Sequence, residues 1–284
     1  MDDILGPLCP SGPSGRTATI IMGILNLTPD SFYDGGRYRL PGDALSRALE
    51  MAEEGAHWID VGGESSRPGA DPVSLDEETR RVIPVVEALV REGLTVSVDT
   101  TKAAVARMAL EAGARIINDI SAFSMDREMA STCARYDAYC VLMHMRGTPR
   151  TMQADTVYTD IVAEVRAYLE RRMDHAMSCG VRKERIIVDP GIGFGKSAEG
   201  NMELLRHLGA FVSIGCPVLV GASRKSFIGA VTGDPIADRL GGSIAAATFA
   251  VLKGARILRV HDVKETRSAV LMAEALLGGL HAGT

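Results

Sequence analysis

The chain has 284 residues, 46% hydrophobic and 24% charged, with a net charge of -5 at neutral pH. That balance is ordinary for a soluble globular protein; the acidic sign argues against a bulk nucleic-acid-binding face, and no apolar run reaches the roughly 20 residues of a membrane span. Five cysteines, Cys9, Cys133, Cys140, Cys179 and Cys216, are odd in number and form no CxxC pair, which predicts reduced thiols in a cytoplasm rather than a disulfide framework or a zinc site.

Residues 1–16 are acidic, then rich in Gly, Pro and Ser, without the basic and apolar regions of a signal peptide; they read as a loose, irregular leader before one domain over residues 17–284. Eight apolar runs then read as strands: Thr17–Leu27, His57–Gly63, Thr95–Thr100, Arg115–Ile120, Ala138–Met145, Arg185–Gly191, Val218–Ser223 and Ala255–Asp262. They are rich in Ile and Val and mostly do not alternate with polar residues, the pattern of strands buried on both faces. Helical patterns lie between them. One starts at Gly42 and Asp43 and ends at Gly55. The next starts at Ser74, with Glu77 three residues on as in a capping box, and Pro84 inside it predicts a kink or an early break. A long one ends at Gly180, a C′ glycine. "EEGAHWIDVGG", "EAGARIINDIS" and "LKGARILRVHD" repeat one joint: helix end, Gly-Ala, strand. Eight such units in this length predict an α/β fold, a single (β/α)8 TIM barrel. A doubly wound open sheet uses the same units, but no GxGxxG follows the first strand.

Barrel enzymes place their sites at the C-terminal strand ends. Those ends carry Asn26; Glu64, Ser65, Ser66 and Arg67; Asp99; Asn118 and Asp119; His144; Asp189; Ser223 to Ser226; and Arg259, His261 and Asp262. Asp99, Asn118 and Asp189 suit a flat heterocycle with amino and amide edges, because carboxylates accept from ring N–H and NH2 groups. Arg67, Lys225, Arg259 and His261 suit an anion such as a phosphate. Plainer readings stand beside these: Asp99 as the N-cap of the helix after it, Arg259 as a barrel-layer residue paired with a carboxylate, Phe194 as a loop anchor. "DPGIGFGKSAEGN" is glycine-rich but lacks the Walker A spacing. Ser226 falls near a helix start, a place that favours a carboxylate or phosphate.

The set "GILNLTPDSF", "DVGGESSRPGA", "SVDTTK", "INDI", "MH", "DPGIGFGK", "SRKSFIG" and "RVHD" resembles dihydropteroate synthase, in family order and across all eight strands. The resemblance implies condensation of 6-hydroxymethyl-7,8-dihydropterin pyrophosphate with 4-aminobenzoate, assisted by Mg2+, in folate synthesis, and a sulfonamide target. It implies that Asp99, Asn118, Asp189 and Lys225 hold the pterin edge, with Met143, Phe194 and Arg259 near the ring. Asn26, Arg67, Arg259 and His261 would face the pyrophosphate, Asn26 as the protein ligand of Mg2+. The aminobenzoate would sit among Thr28, Pro29, Phe32, Ser66, Pro68 and Ser226. The loops after strands one and two would close over the mouth, Asp34 belonging to the first. One departure is Ser66, where the family usually has Thr. A homodimer is also implied; the last two helices, "IAAATFAVL" and "SAVLMAEALLGGL", are apolar enough to offer its interface or, alternatively, to cover the barrel. A pterin-dependent methyltransferase acting on a corrinoid would not need Arg67, "SRKSFIG" or "RVHD"; a non-catalytic pterin binder would lack pocket residues.

Overall fold

The computed structural model describes Leu5, residues 18–28 and residues 40–278. Strands and helices alternate: β1 (Ile20–Asn26), α1 (Leu40–Glu54), β2 (Trp58–Gly62), α2 (Leu75–Arg91), β3 (Val96–Asp99), α3 (Ala103–Glu111), β4 (Ile116–Asp119) and α4 (Met129–Arg135). Then come β5 (Tyr139–Met143), α5 (Ile161–Ser178), β6 (Ile186–Asp189), α6 (Ala198–Arg206), the single turn α7 (Gly209–Val212) and β7 (Leu219–Val220). The chain continues through α8 (Ser226–Thr232), α9 (Leu240–Leu252), β8 (Ile257–Val260) and α10 (Val263–Gly278). Each strand lies inside its predicted run and is shorter than it.

The strands are parallel, in the order β6-β5-β4-β3-β2-β1-β8-β7. A parallel bridge between Val188 and Val218 joins the two ends, where the Val188 N–H donates to the Pro217 carbonyl at 3.0 Å. The sheet is therefore a nearly closed (β/α)8 barrel, and the open-sheet alternative falls.

The repeated joint has a physical reason. Gly55, Gly113 and Gly254 sit at φ +106°, +105° and +100°, and a Cβ there would meet Arg267, Val90 and Val212 at 2.1, 2.7 and 3.0 Å. Only glycine lets the helix stop and the next strand start in so little chain. Two local expectations need correction. The Ser74 hydroxyl does accept from the Glu77 N–H at 3.3 Å, but the Glu77 carboxylate turns to Arg80 and Arg81, so only half the capping box forms. Pro84 does not end its helix: α2 runs on to Arg91.

Two apolar layers hold the barrel. One lies between sheet and helices and includes Ile21, Leu25, Ile59, Val61 and Leu142. The other fills the lower interior with Ile20, Met22, Trp58, Ile116, Tyr139, Val141, Ile187, Leu219 and Ile257. Each large side chain so buried contributes about 2 kcal/mol. Leu5 belongs to this inner layer, 2% exposed, and the Tyr139 hydroxyl donates to its carbonyl at 3.1 Å. The loose-leader expectation is corrected at this residue; the other fifteen leader positions lie outside the described residues.

Candidate active site

Side chains along a strand point alternately in and out. The inner apolar layer fixes which parity faces the interior, and the same columns continue upward into polar residues. Above Met22 comes Asn26, above Trp58 come Asp60 and Gly62, and above Ile116 comes Asn118. Above Val141 comes Met143, above Ile187 comes Asp189, and above Ile257 come Arg259 and His261. Strand register sets Asn26 beside Gly62, Gly62 beside Asp99, Asp99 beside Asn118, and Met143 beside Asp189. The barrel is thus packed with hydrocarbon in its lower half and lined with charge above.

The deep group is joined around Arg259. Its Nε donates to Asp60 Oδ2 at 2.6 Å and its Nη2 to Asp99 Oδ2 at 2.8 Å. Asn118 Nδ2 donates to the same Asp60 oxygen at 3.0 Å. Burial pushes Asp99 up to about 7 against the pull of Arg259, helped by the anionic neighbours Asp60, Glu78 and Asp119. Burial also raises Asp189 to about 6, although its Oδ1 accepts the Gly191 N–H at 2.7 Å. Lys225, lowered to about 8 by burial and by Arg259, lays its Nζ 3.9 Å from the centroid of the Phe194 ring. Phe194 and Met143 share one apolar cluster with Ile120, Met145 and Met152. A carboxylate edge, an amide, a lysine and a flat apolar wall thus converge on one space.

Several strand-end residues lie elsewhere, for the same reason of parity. Asp119 accepts from the Ser121 and Phe123 N–H groups and shapes the turn after β4. His144 packs edge-on against Tyr168, ring centroids 4.8 Å apart, and Asp262 forms a two-pronged pair with Arg224 at 3.0 and 2.5 Å. Asp99 is not an N-cap: Lys102 holds that position on α3. Arg259 belongs with the pair-forming deep residues, as its plainer reading held. His261 is no cation: burial, Arg259 and Arg224 lower it to about 4, and its Nδ1 lies 3.1 Å from the Ser223 hydroxyl.

At the rim, Thr28 is buried, Ser66 is half-buried, and Arg67, Pro68 and Ser226 are exposed. Among the described residues, no hydrogen bond or ion pair links Ser66, Arg67, Pro68 or Ser226 to the deep group. Pro29, Phe32 and Asp34 lie outside the described residues. Asn26, half-buried, turns its Oδ1 toward the space over Gly62: a Cβ built on Gly62 would stand 3.5 Å from it and 3.9 Å from Asp99 Oδ2.

Three charged groups escaped the sequence reading. Asp60 was hidden inside an apolar run, although its parity with Trp58 points it inward. Lys196 is buried and gathers the carbonyls of Gly191 (2.9 Å), Phe194 (2.7 Å) and His144 (3.2 Å) with the His144 Nδ1 (3.0 Å). Burial lowers this lysine to about 7 and His144 to about 2. Lys102 bonds both Glu64 and Glu78 at 2.5 Å, and Glu64 accepts from the Val73 N–H at 3.2 Å, which ties the two ends of the β2 loop together. A cavity of about 600 Å³ between the β5 loop and α5, lined by Arg146, Tyr158, Glu164 and Arg171, lies off this site. The convergent chemistry, not the volume, selects the barrel mouth.

Residues 22–261 match the model of the pterin binding enzyme family. A dihydropteroate synthase of Synechocystis is 45% identical over 97% of this chain and 98% of its own. A dihydropteroate synthase structure from Yersinia pestis, in complex with a sulfonamide drug, superposes with a TM-score of 0.88 at 42% identity, covering 93% of this chain and 98% of that one. Another, from Xanthomonas albilineans with 4-aminobenzoic acid, gives 0.87 at 44% identity over 93% and 96%. The chain belongs to the dihydropteroate synthase family of pterin-binding enzymes.

Proposed function

We propose that this enzyme condenses 6-hydroxymethyl-7,8-dihydropterin pyrophosphate with 4-aminobenzoate, releasing 7,8-dihydropteroate and pyrophosphate, in folate biosynthesis. The observation that carries the reading is the switch of the barrel interior from hydrocarbon to Asn118, Asp189 and Arg259 within the same inward columns, joined by Asp99 at the end of β3 and by Lys225 from the turn between β7 and α8. Asp99, Asp189 and Asn118 take the amino and ring N–H edge of the pterin, Lys225 donates to its acceptor edge, and Met143 and Phe194 flank the ring.

The exocyclic carbon–oxygen bond to pyrophosphate breaks first. The electron pair leaves with pyrophosphate, and Asp99 and Asp189 stabilise the positive charge that spreads over the pterin. The neutral aniline nitrogen then attacks that carbon and gives up a proton. Arg67 and Arg259 face the leaving group, and His261, neutral at pH 7, serves it as a hydrogen-bond donor. Thr28, Pro29, Phe32, Ser66, Pro68 and Ser226 hold the aminobenzoate at the mouth, where sulfonamides compete. Mg2+ suits the donors present: Asn26 offers an oxygen at the rim, and no cluster of three or more metal-binding side chains occurs among the described residues, so water and pyrophosphate would complete its shell. When bound, it would neutralise charge on the leaving oxygens.

The reading takes residues 17–284 as one barrel domain, with Leu5 of the preceding segment packed into its inner layer. A homodimer is supported by Phe249, Leu252, Leu271, Met272, Leu276 and Leu277, which α9 and α10 leave exposed. No helix among the described residues is long and apolar enough to cross a membrane. The free thiols of Cys133, Cys140, Cys179 and Cys216 support a reducing, cytoplasmic compartment. The test is turnover with both substrates and Mg2+. Tight binding of dihydropterin without pyrophosphate release would favour a non-catalytic binder instead.

A further inference from the structure

We propose that Asp60 is a positioning residue of this pocket: a fixed carboxylate that keeps Arg259 paired while Asp99 exchanges that arginine for the substrate ring. The inference rests on the pterin reading above and adds a role to it.

Asp60 is wholly buried, in the middle of β2. Its Oδ2 receives two donors from separate strands, Arg259 Nε on β8 and Asn118 Nδ2 on β4, while its Oδ1 has no hydrogen-bond partner. Arg259 meets a second carboxylate, Asp99, through a different nitrogen. This division of labour matters chemically. A guanidinium as far from water as that of Arg259, 17% exposed, would lock a single carboxylate, because leaving either charge unpaired there is costly. With Asp60 held on Nε, Asp99 can turn to a ring N–H and Arg259 stays paired. The residue above Asp60 in its column brings no side chain. Gly62 follows it on the inward face, and a Cβ there would already touch Asn26 Oδ1 at 3.5 Å and Asp99 Cβ at 3.6 Å. Glycine at 62 therefore keeps a side chain from crowding Asp99 and Asn26 above the Asp60–Arg259 pair.

The experiment compares Asp60→Asn and Asp60→Glu with the wild-type full chain. Asparagine keeps the shape and one acceptor and removes the charge, so Arg259 falls back on Asp99 alone. Binding of 6-hydroxymethyl-7,8-dihydropterin is expected to weaken by roughly tenfold or more, the scale of a hydrogen bond to a charged group. KM for the pterin pyrophosphate rises and KM for 4-aminobenzoate stays. The groups facing Asp99 are Arg259, Lys225, Asp60, Glu78 and Asp119. Removing one anion from that set leaves the cations stronger, so the acidic limb of kcat/KM moves to lower pH, and Asp60→Glu moves it back. An Asp60→Asn enzyme with wild-type pterin affinity and an unmoved limb overturns the proposal, as does an equal loss for both substrates. Should the asparagine variant not fold, a crystal structure of wild-type protein with dihydropterin decides. Arg259 on Asp60 with Asp99 on the ring supports it; Arg259 drawn off Asp60 overturns it. Wild-type protein that ignores dihydropterin would sink the functional reading itself.

Discussion

Asp99, half-buried among anions, holds its proton up to about 7, and Lys225, half-buried beside Arg259, gives its proton up at about 8. Both signs lead to one expectation. The free enzyme loses Asp99 as an acceptor below about 7 and Lys225 as a cation above about 8, so kcat/KM for the pterin substrate is bell-shaped with a narrow top. A profile flat from about 6 to about 9 would contradict these assignments. Asp99→Asn should keep the fold and cost about 100-fold in kcat, the scale of losing one preorganised electrostatic group; steady-state kinetics with a circular dichroism control decides it. At this scale the sequence was half legible. Asp99, Asn118, Asp189, Lys225 and Arg259 stood at strand ends and could be read. Asp60 could not be read as a strand end, since it lies two residues deeper. Whether His261 acts as a cation or a neutral donor could not be read, because the sequence does not show that Asp262 turns away to Arg224.

Elements were easier to read than side-chain directions. Apolar runs found all eight strands, and the Gly-Ala joints found where helices stop, because left-handed backbone leaves a visible glycine. A strand end offers two neighbouring residues, however, and only one faces in. Asp119 and His144 were counted into the ring for want of that parity, which the inner layer of Trp58, Ile116 and Tyr139 supplies. Pro84 was over-read: packing of the buried face of α2 through Val82, Val85, Val86 and Leu89 outweighs the lost hydrogen bond. Pro84 is exposed, so Pro84→Ala should stabilise the protein by about 1–2 kcal/mol, a helix gain of about 3 less about 1 for a freer unfolded chain. Urea unfolding measures it, and a loss of stability would show that the proline is required there. Lys102→Met leaves Glu78 buried without its cation and should cost on the order of 3 kcal/mol. It also frees the stem of the β2 loop, so KM for 4-aminobenzoate should rise; an unchanged KM would place that loop outside the aminobenzoate site.

For the whole molecule, the barrel solves one problem twice. Its lower half buries hydrocarbon to hold eight short strands in register, and its upper half uses the same columns to hold charges that isolated burial would not tolerate. The proposed dimer across α9 and α10 predicts a sedimentation mass twice the 30.2 kDa of the chain; a monomer at micromolar concentration would remove it. One assay tests the catalytic activity directly. Purified protein is mixed with 6-hydroxymethyl-7,8-dihydropterin pyrophosphate, 4-aminobenzoate and Mg2+, and pyrophosphate release is followed alongside reactions lacking aminobenzoate or Mg2+. Release should require both and yield one dihydropteroate per pyrophosphate; no release in the complete mixture, with the pterin substrate recovered intact, would contradict the synthase reading.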